Sequence, residues 1–339
     1  MVTSKDVAKL AGVSHTTVSR AFRKDAKIKK ETYDRIMKIS RELGYVPNQI
    51  ASSLRQKKTK NVGIIISHGF NPLFLDLTHS IETELARHGY RLLLSFDDGD
   101  LQQQQNILQS LASAQVDVIL FTPLAKSEED LEQLHTWMVH TGIHFIQLIG
   151  DPFEDITSFK FDDEQGAYLG TRHLLSKGHR NILLIGGVNR VNGYLRAYEQ
   201  LQYTPAFPYR DLTGSNDAES YSNIKAALLA QKPTAVFPVS TSLSYLTYEV
   251  IAELKLRIPE DISFLAFDDE RWLQLLRISV IGHPTQALAS SIVREILSYE
   301  ENSEEVYPSS TSFKPFLLER SSVRAFNEET KSSLTGPAS

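Results

Sequence analysis

Hydrophobic positions divide the chain into two textures. Between residues 4 and 43 they recur three and four apart: Val7, Ala8 and Leu10, then Val18 and Ala21, then Tyr33, Ile36, Met37, Ile39 and Leu43. That spacing lays each set along one face of a short helix. Thr3 and Asp6 stand at capping-box spacing ahead of the first helix, Gly12 breaks it, Ser14 is placed to cap a second over His15 to Phe22, and Gly44 ends the third. From Val62 the pattern changes to short continuous apolar runs alternating with amphipathic stretches. Strands are predicted at 62–66, 91–96, 116–121, 144–149, 158–161, 181–185, 234–238, 262–267 and 313–318, and helices at 73–89, 102–114, 127–140, 164–177, 194–202, 218–230, 244–254 and 285–299.

The expected fold is therefore an all-α N-terminal helix-turn-helix head followed by an α/β two-lobed body with parallel sheets. A cleft between the lobes, outside the carboxyl ends of the strands, is where a ligand is expected. Composition breaks place the head at 1–47 and a short helix with a basic linker at 48–60. The body follows at 61–325, with lobe 1 over about 61–157 and 286–313 and lobe 2 over about 158–285 and 314–325. The polar stretch 326–339 is expected to be a disordered tail.

Charge sharpens the reading of the head. Residues 1–60 hold 15 Lys and Arg against 5 Asp and Glu, a net of +10, whereas the whole chain nets -5. A basic head on an acidic body is the asymmetry expected when only the head meets phosphate. Val18 and Ala21 are expected to pack inward on the first helix, while His15, Thr16, Thr17, Ser19 and Arg20 point out. These are side chains able to read base edges in a major groove.

Other chemistry is poorly supplied. The chain has no cysteine, which excludes disulfides and thiolate chemistry. There is no apolar run of membrane-spanning length and no signal-like leader, so a cytoplasmic, nucleoid-associated protein without membrane contact is expected. No G-x-G-x-x-G, G-x-x-x-x-G-K-[ST], G-x-S-x-G or H-E-x-x-H occurs. The paired acids Asp162-Asp163 and Asp268-Asp269 read as strand-end or capping positions, and the ten histidines are scattered. Neither an enzyme, a metal site nor a cofactor is expected.

KDVAKLAGVSHTTVSR near the N-terminus, GYVPNQIASSLR at 44–55, NPLF at 71–74, GAYLGTRHLLSKGHRNI at 166–182, PTAVF at 233–237 and IPEDISFLAFDD at 258–269 follow one another in order. In these landmarks the chain resembles the LacI/GalR family of bacterial transcriptional repressors over nearly its whole length. The resemblance implies a repressor that binds double-stranded operator DNA of near-palindromic sequence as a homodimer. His15, Thr16 and Arg20 would read bases, and Ser14, Thr17 and Ser19 would hold phosphates. Asn48, Ala51, Leu54 and Arg55 would belong to a hinge helix in the minor groove, with Leu54 levering a base step apart.

The same resemblance implies a small effector, a sugar or sugar phosphate, in a periplasmic-binding-protein-like cleft. Arg190 and Asp268 fall on ligand-gripping positions and Phe74 on a pocket aromatic. The chain departs from the family pattern at three places. Ser240-Thr241 replaces Asn-Asp, Ile149-Gly150 stands where a pocket acid usually ends a strand, and His283-Pro284 replaces Gln-Pro. Thr241 and His283 thus join the effector candidates, and the loss of acids points toward a less negative pocket suited to a sugar phosphate. Two alternatives stay open: a repressor governed by a protein corepressor, and a sugar-metabolising enzyme carrying a DNA-binding head.

Overall fold

In a computed structural model of the chain, the described residues are 2–22, 28–46, 58–67, 71–150, 152–187, 190–301 and 308–326. The hinge candidates Asn48, Ala51, Leu54 and Arg55 and the tail from 327 lie outside them. The chain forms two compact units, Met1–Lys60 and Asn61–Ser339.

The head is three helices: α1 (Ser4–Ala11), α2 (His15–Ala21) and α3 (Lys30–Glu42). Asp6 accepts both the backbone N–H and the hydroxyl of Thr3, at 2.8 and 2.7 Å, fixing the start of α1. Gly12 ends it in the left-handed conformation, φ 63°, a geometry that costs a residue with a Cβ about 1–2 kcal/mol. Val7, Ala8, Ala11, Val18, Ala21 and Ile36 make a buried mini-core, with Phe22 and Tyr45 packed edge-on beside it. Leu10 is not part of it: the leucine is 62% exposed. At 3.6 residues per turn the buried arc of Val7, Ala8 and Ala11 lies about 100° from Leu10. The expected apolar face thus turns on Ala11 instead.

The body holds two sheets. In the first, β1 (Asn61–Ile66), β2 (Arg91–Phe96), β3 (Val118–Phe121), β4 (His144–Leu148), β5 (Ser158–Phe161) and β10 (Ser310–Phe313) run in the order β10-β5-β4-β3-β1-β2, all parallel. In the second, β6 (Ile182–Ile185), β7 (Ala235–Pro238), β8 (Ser263–Phe267), β9 (Ser279–Gly282) and β11 (Phe316–Leu318) run in the order β11-β9-β8-β7-β6, with β11 antiparallel. Helices α4 (Pro72–Arg87), α5 (Leu101–Ser113) and α6 (Glu128–Thr141) connect the first sheet. Helices α7 (Asp163–Ser176), α8 (Val191–Gln200), α9 (Asp217–Gln231), α10 (Thr241–Glu253) and the short α11 (Arg271–Leu275) serve the second. The last helix, α12 (Thr285–Glu301), returns to lobe 1, where Leu288, Ala289, Ile292, Val293 and Ile296 are buried with Leu77, Ile81 and Leu85 of α4.

Three crossovers therefore join the lobes, at Asp162 between β5 and α7, at His283-Pro284 between β9 and α12, and at Lys314-Pro315 between β10 and β11. This corrects the predicted lobe boundary. Residues 158–161 form β5, which pairs with β4 and β10 and so belongs to lobe 1, because Gln147 and Leu148 offer it a parallel partner that no lobe 2 strand does. The single strand expected at 313–318 is two, split where Lys314-Pro315 leaves one sheet for the other. Helix α11 and strand β9 are short elements with no predicted counterpart. Among the described residues no helix is long and apolar enough to cross a membrane.

Candidate nucleic-acid interface and inter-lobe cleft

Helix α2 presents the expected outward face. His15, Thr16 and Arg20 are exposed, Thr17 and Ser19 half-buried, and Val18 and Ala21 turned into the mini-core. The Ser14 hydroxyl accepts the Thr17 backbone N–H at 3.2 Å and lies 2.7 and 2.9 Å from the hydroxyls of Thr16 and Thr17. Ser14 is thus a helix cap first, a role worth about 1 kcal/mol. The start of α2 offers a tight group of hydroxyls beside a helix N-terminus, where orphan N–H groups favour phosphate oxygen.

In the body, a cavity of about 960 Å³ opens between the lobes. Lobe 1 contributes Ser67 after β1, Asp98 after β2, and Asn71 and Pro72 at the start of α4; lobe 2 contributes Asp217, Ser240, Thr241, Ser242, Tyr245, Leu246, Glu249, Glu270 and Trp272. Several of these residues also shape the backbone. Asn71 caps α4 by accepting the Leu73 N–H at 3.0 Å, and Ser240 caps α10 by accepting the Leu243 N–H at 3.3 Å. Tyr245 and Tyr248 meet Trp272 edge-on, with centroids 6.1 and 5.6 Å apart, making an aromatic wall. The Trp272 indole N–H donates to Glu270 at 3.0 Å, while the other carboxylate oxygen of Glu270 is buried without a partner.

This lining corrects the expectation of a less negative pocket. Asp98, Asp217, Glu249 and Glu270 line the cavity, and among the described residues no lysine or arginine does. The acids lost at 149–150 and 240–241 are replaced by others contributed from loops and from α10. Four carboxylates with no lysine or arginine among the described lining residues make a field that repels anions.

The effector candidates divide. Thr241 lines the cavity. Its hydroxyl donates to Asp268 at 3.3 Å, and Asp268 is one link in a chain of charges that is buried at Asp268 and His283 and half-buried at Asp163 and Arg190. His283 Nδ1 lies 2.7 Å from Asp268 Oδ1, and its Nε2 lies 3.3 Å from Asp163 Oδ1; the other oxygen of Asp163 accepts from Arg190 Nη2 at 3.0 Å. The Arg190 guanidinium lies over the Phe267 ring, 4.3 Å from its centroid, and its Nε is buried without a partner. Phe161 and Phe267 enclose the imidazole, whose side chain has no solvent exposure. Both nitrogens of His283 and the guanidinium of Arg190 are thus engaged within the protein. Phe74 is half-buried and packs on the lobe 1 core.

Local geometry explains how so distant a set converges. Asp163 opens α7 and Arg190 caps α8, and the two helices cross closely at Gly193. A Cβ there would stand 2.0 Å from the Glu164 carbonyl oxygen, so only glycine lets the two helix starts meet. Asp268 ends β8 with φ 65°, a left-handed conformation that aspartate tolerates better than most residues. Burial disfavours ionising Asp163, but the bond from His283 and the charge of Arg190 prevail and hold its carboxyl below the usual range. Burial likewise opposes a charge on His283, yet its bonds to Asp163 and Asp268 raise it above the usual histidine value.

Sequence reasoning placed Asp163 only as a cap or strand end and gave no role to Tyr245, Trp272, Glu249, Glu270, Asp98 or Asp217. Tyr245 and Glu249 stand four apart on α10, a helical spacing that could have marked one shared face. The other four carry no local signal.

Comparison with known proteins agrees with this arrangement. The description "Bacterial regulatory proteins, lacI family" matches residues 3–48, and "Periplasmic binding proteins and sugar binding domain of LacI family" matches 59–272. The HTH-type transcriptional repressor PurR of Aliivibrio salmonicida is 32% identical over 279 residues, 79% of this chain and 83% of that protein. The ribose operon repressor of Haemophilus influenzae is 30% identical over 320 residues, covering 91% and 94%. A crystal structure of the lac repressor dimer bound to operator and the anti-inducer ONPF shares the fold at a TM-score of 0.80 and 21% identity, covering 96% of this chain and 99% of that one. These curated relatives are repressors, not enzymes. With a helix-turn-helix head, a two-lobed body and both family descriptions in register, the chain belongs to the LacI family and is a DNA-binding transcriptional repressor.

Proposed function

We propose that the protein binds a near-palindromic DNA operator as a homodimer and is controlled by a neutral, polyhydroxylated ring compound, a sugar rather than a sugar phosphate, held in the inter-lobe cleft. The observation that carries the DNA side is the outward face of α2. There His15, Thr16 and Arg20 stand exposed on one face and would reach base edges, while Ser14, Thr17 and Ser19 would hold the phosphates; a hinge role for Asn48, Ala51, Leu54 and Arg55 rests on the sequence resemblance alone. An isologous dimer matches the symmetry of such a site. The edge strand β2 supports it, since Leu93, Leu94 and Phe96 are exposed there and Leu75 on α4 is exposed too.

The cleft's aromatic wall of Tyr245 and Trp272 suits stacking on a sugar ring, and its hydroxyls and carboxylates suit sugar hydroxyls. The name of the ribose operon repressor and a solved LacI-family regulator from Enterococcus faecium with bound ribose support the same class. Effector binding would alter operator affinity by favouring one state of lobe closure. The test has two arms. Selection of DNA from a random pool by the full-length protein is expected to yield a two-fold symmetric sequence. A thermal-shift panel of sugars, sugar phosphates and purines is expected to yield a selective shift with a neutral sugar, lost in Trp272→Ala. Non-symmetric selected DNA would overturn the dimer; a shift by phosphates alone would overturn the neutral-sugar assignment.

A further inference from the structure

His283 has a carboxylate oxygen on each side of its ring, Asp268 on Nδ1 at 2.7 Å and Asp163 on Nε2 at 3.3 Å. A neutral imidazole carries one N–H, so it can satisfy one of these carboxylates while turning a lone pair on the other. Only the imidazolium donates to both. The three residues occupy mechanically distinct places. His283 is the crossover from β9 to α12, Asp163 follows the crossover from β5 to α7, and Asp268 ends β8 in lobe 2 beside the cavity residue Thr241. Hydrogen bonds to one ring thus tie two of the three strands that join the lobes. Phe161, at the lobe 1 end of one crossover, closes over the same ring at 4.3 Å.

We propose that His283 is the positioning residue of the cleft, a single-proton latch that, when protonated, pins two inter-lobe crossovers together and fixes the orientation of Asp268 and Arg190, and that lobe opening is controlled by that proton. The latch itself is independent of the effector; its effect on ligand binding rests on the cleft reading given above. Loss of the proton releases first the longer bond, to Asp163. That carboxylate then remains with Arg190, and His283 remains with Asp268, so the link between the two crossovers parts and each half stays satisfied.

The acids on the surrounding elements are otherwise engaged. Glu164 pairs with Arg196 on the α7–α8 face, and Asp162 caps α7 by accepting the Gln165 N–H. Asp269, next to Asp268, pairs with Arg320 at 2.7 Å, and Lys314 on the third crossover is exposed. Among the described residues, Arg190, through Asp163, is the cation that shares the cluster. Because the folded protein holds the proton more tightly than the unfolded chain, the latch contributes fully below the ordinary histidine value of about 6.5 and is lost as pH rises through the higher folded value.

Two measurements on the full-length protein test this without any effector. Proton NMR of the histidine Hε1 signals, with His283 assigned by its disappearance in His283→Gln, is expected to show a titration midpoint above about 6.5 that falls in Asp163→Asn. The cysteine-free sequence also allows spin labels at Gln102→Cys in lobe 1 and Ala218→Cys in lobe 2. The inter-lobe distance distribution is expected to be narrow at low pH and to broaden above the midpoint, with no pH change in the His283→Gln background. A midpoint at or below the ordinary value, or a distribution that broadens equally in His283→Gln, overturns the latch. Failure of the sugar panel alone would leave these results untouched and count only against the effector assignment.

Discussion

Along the outward face of α2, polar side chains stand at the surface: His15, Thr16 and Arg20 are exposed over a core of six small or medium apolar residues. At the lobe junction, Asp163, Arg190, Asp268 and His283 face one another inside the protein, enclosed by Phe161 and Phe267. The first arrangement leaves hydrogen-bonding capacity for an external partner, and its stability comes from what lies beneath. The second spends that capacity internally, so each member depends on the others. A substitution on α2 should therefore change what is bound with little effect on folding, whereas one in the network should change folding and lobe geometry together.

The largest expected effects come from breaking each region at its support. Gly193→Val drives a side chain into the Glu164 carbonyl and parts Arg190 from Asp163, at a cost of about 3 kcal/mol or more, read as a lowered melting temperature of the body. Val18→Asp buries a charge in the head, where Val18 has no exposure. It is expected to abolish DNA binding in a gel shift while leaving the body's thermal transition in place.

Acid titration sharpens the contrast inside the body. His144, stacked on Tyr299, and His179, bonded to Thr234 and the Arg324 carbonyl, are both pushed down to about 4, chiefly by burial. Their neutral forms are the folded ones, so each costs stability as pH falls from about 6.5 toward 4, on the order of 2–3 kcal/mol apiece. Urea denaturation across that range is expected to show the loss, and His144→Phe, which keeps a ring against Tyr299, to reduce it. His283 runs the opposite way, contributing most in acid.

Smaller effects belong to the surface. Arg20→Ala is expected to cost about 1–3 kcal/mol on the preferred DNA sequence and to relax preference at one base pair. Ser19→Ala should weaken all sequences alike, measured at one fixed salt concentration. Least of all, Asp6→Ala removes the acceptor of the two Thr3 bonds and should lower head stability by about 0.5–1 kcal/mol, seen as fraying of α1 by amide exchange.

The head was legible in the sequence because its determinants are local. Thr3 and Asp6, Gly12, Ser14 and the Val18–Ala21 pair act within a few residues of one another; Leu10 and Tyr33, both counted on apolar faces, are exposed instead. In the body the alternation of strands and helices carried over to the structure, and landmark registration marked Arg190 and Asp268. Asp163 could not be recognised as their partner, because it meets His283 across 120 residues, and it meets Arg190 through a helix crossing that exists only once Gly193 has let two helices touch. The cavity's acids were hidden for the same reason. They come from four separate segments, the turn after β2, the start of α9, the middle of α10 and the turn before α11, and only Glu249 shares a helical spacing with another lining residue.

The three crossovers also govern the order in which the molecule can be made. Lobe 1 begins at Asn61, yet α12, which places Leu288, Ile292, Val293 and Ile296 against α4, is encoded only after every element of lobe 2 except the edge strand β11. At a synthesis rate of about 5–20 residues per second, strands β1 to β5 must wait roughly 6 to 25 s on the ribosome before their covering helix emerges. Burying those four side chains supplies about 1.5–3 kcal/mol each, and until then the face of α4 that receives them is open to any passing apolar surface. The growing chain is a natural client for a nascent-chain chaperone, and lobe 1 cannot be excised as a contiguous stretch of gene.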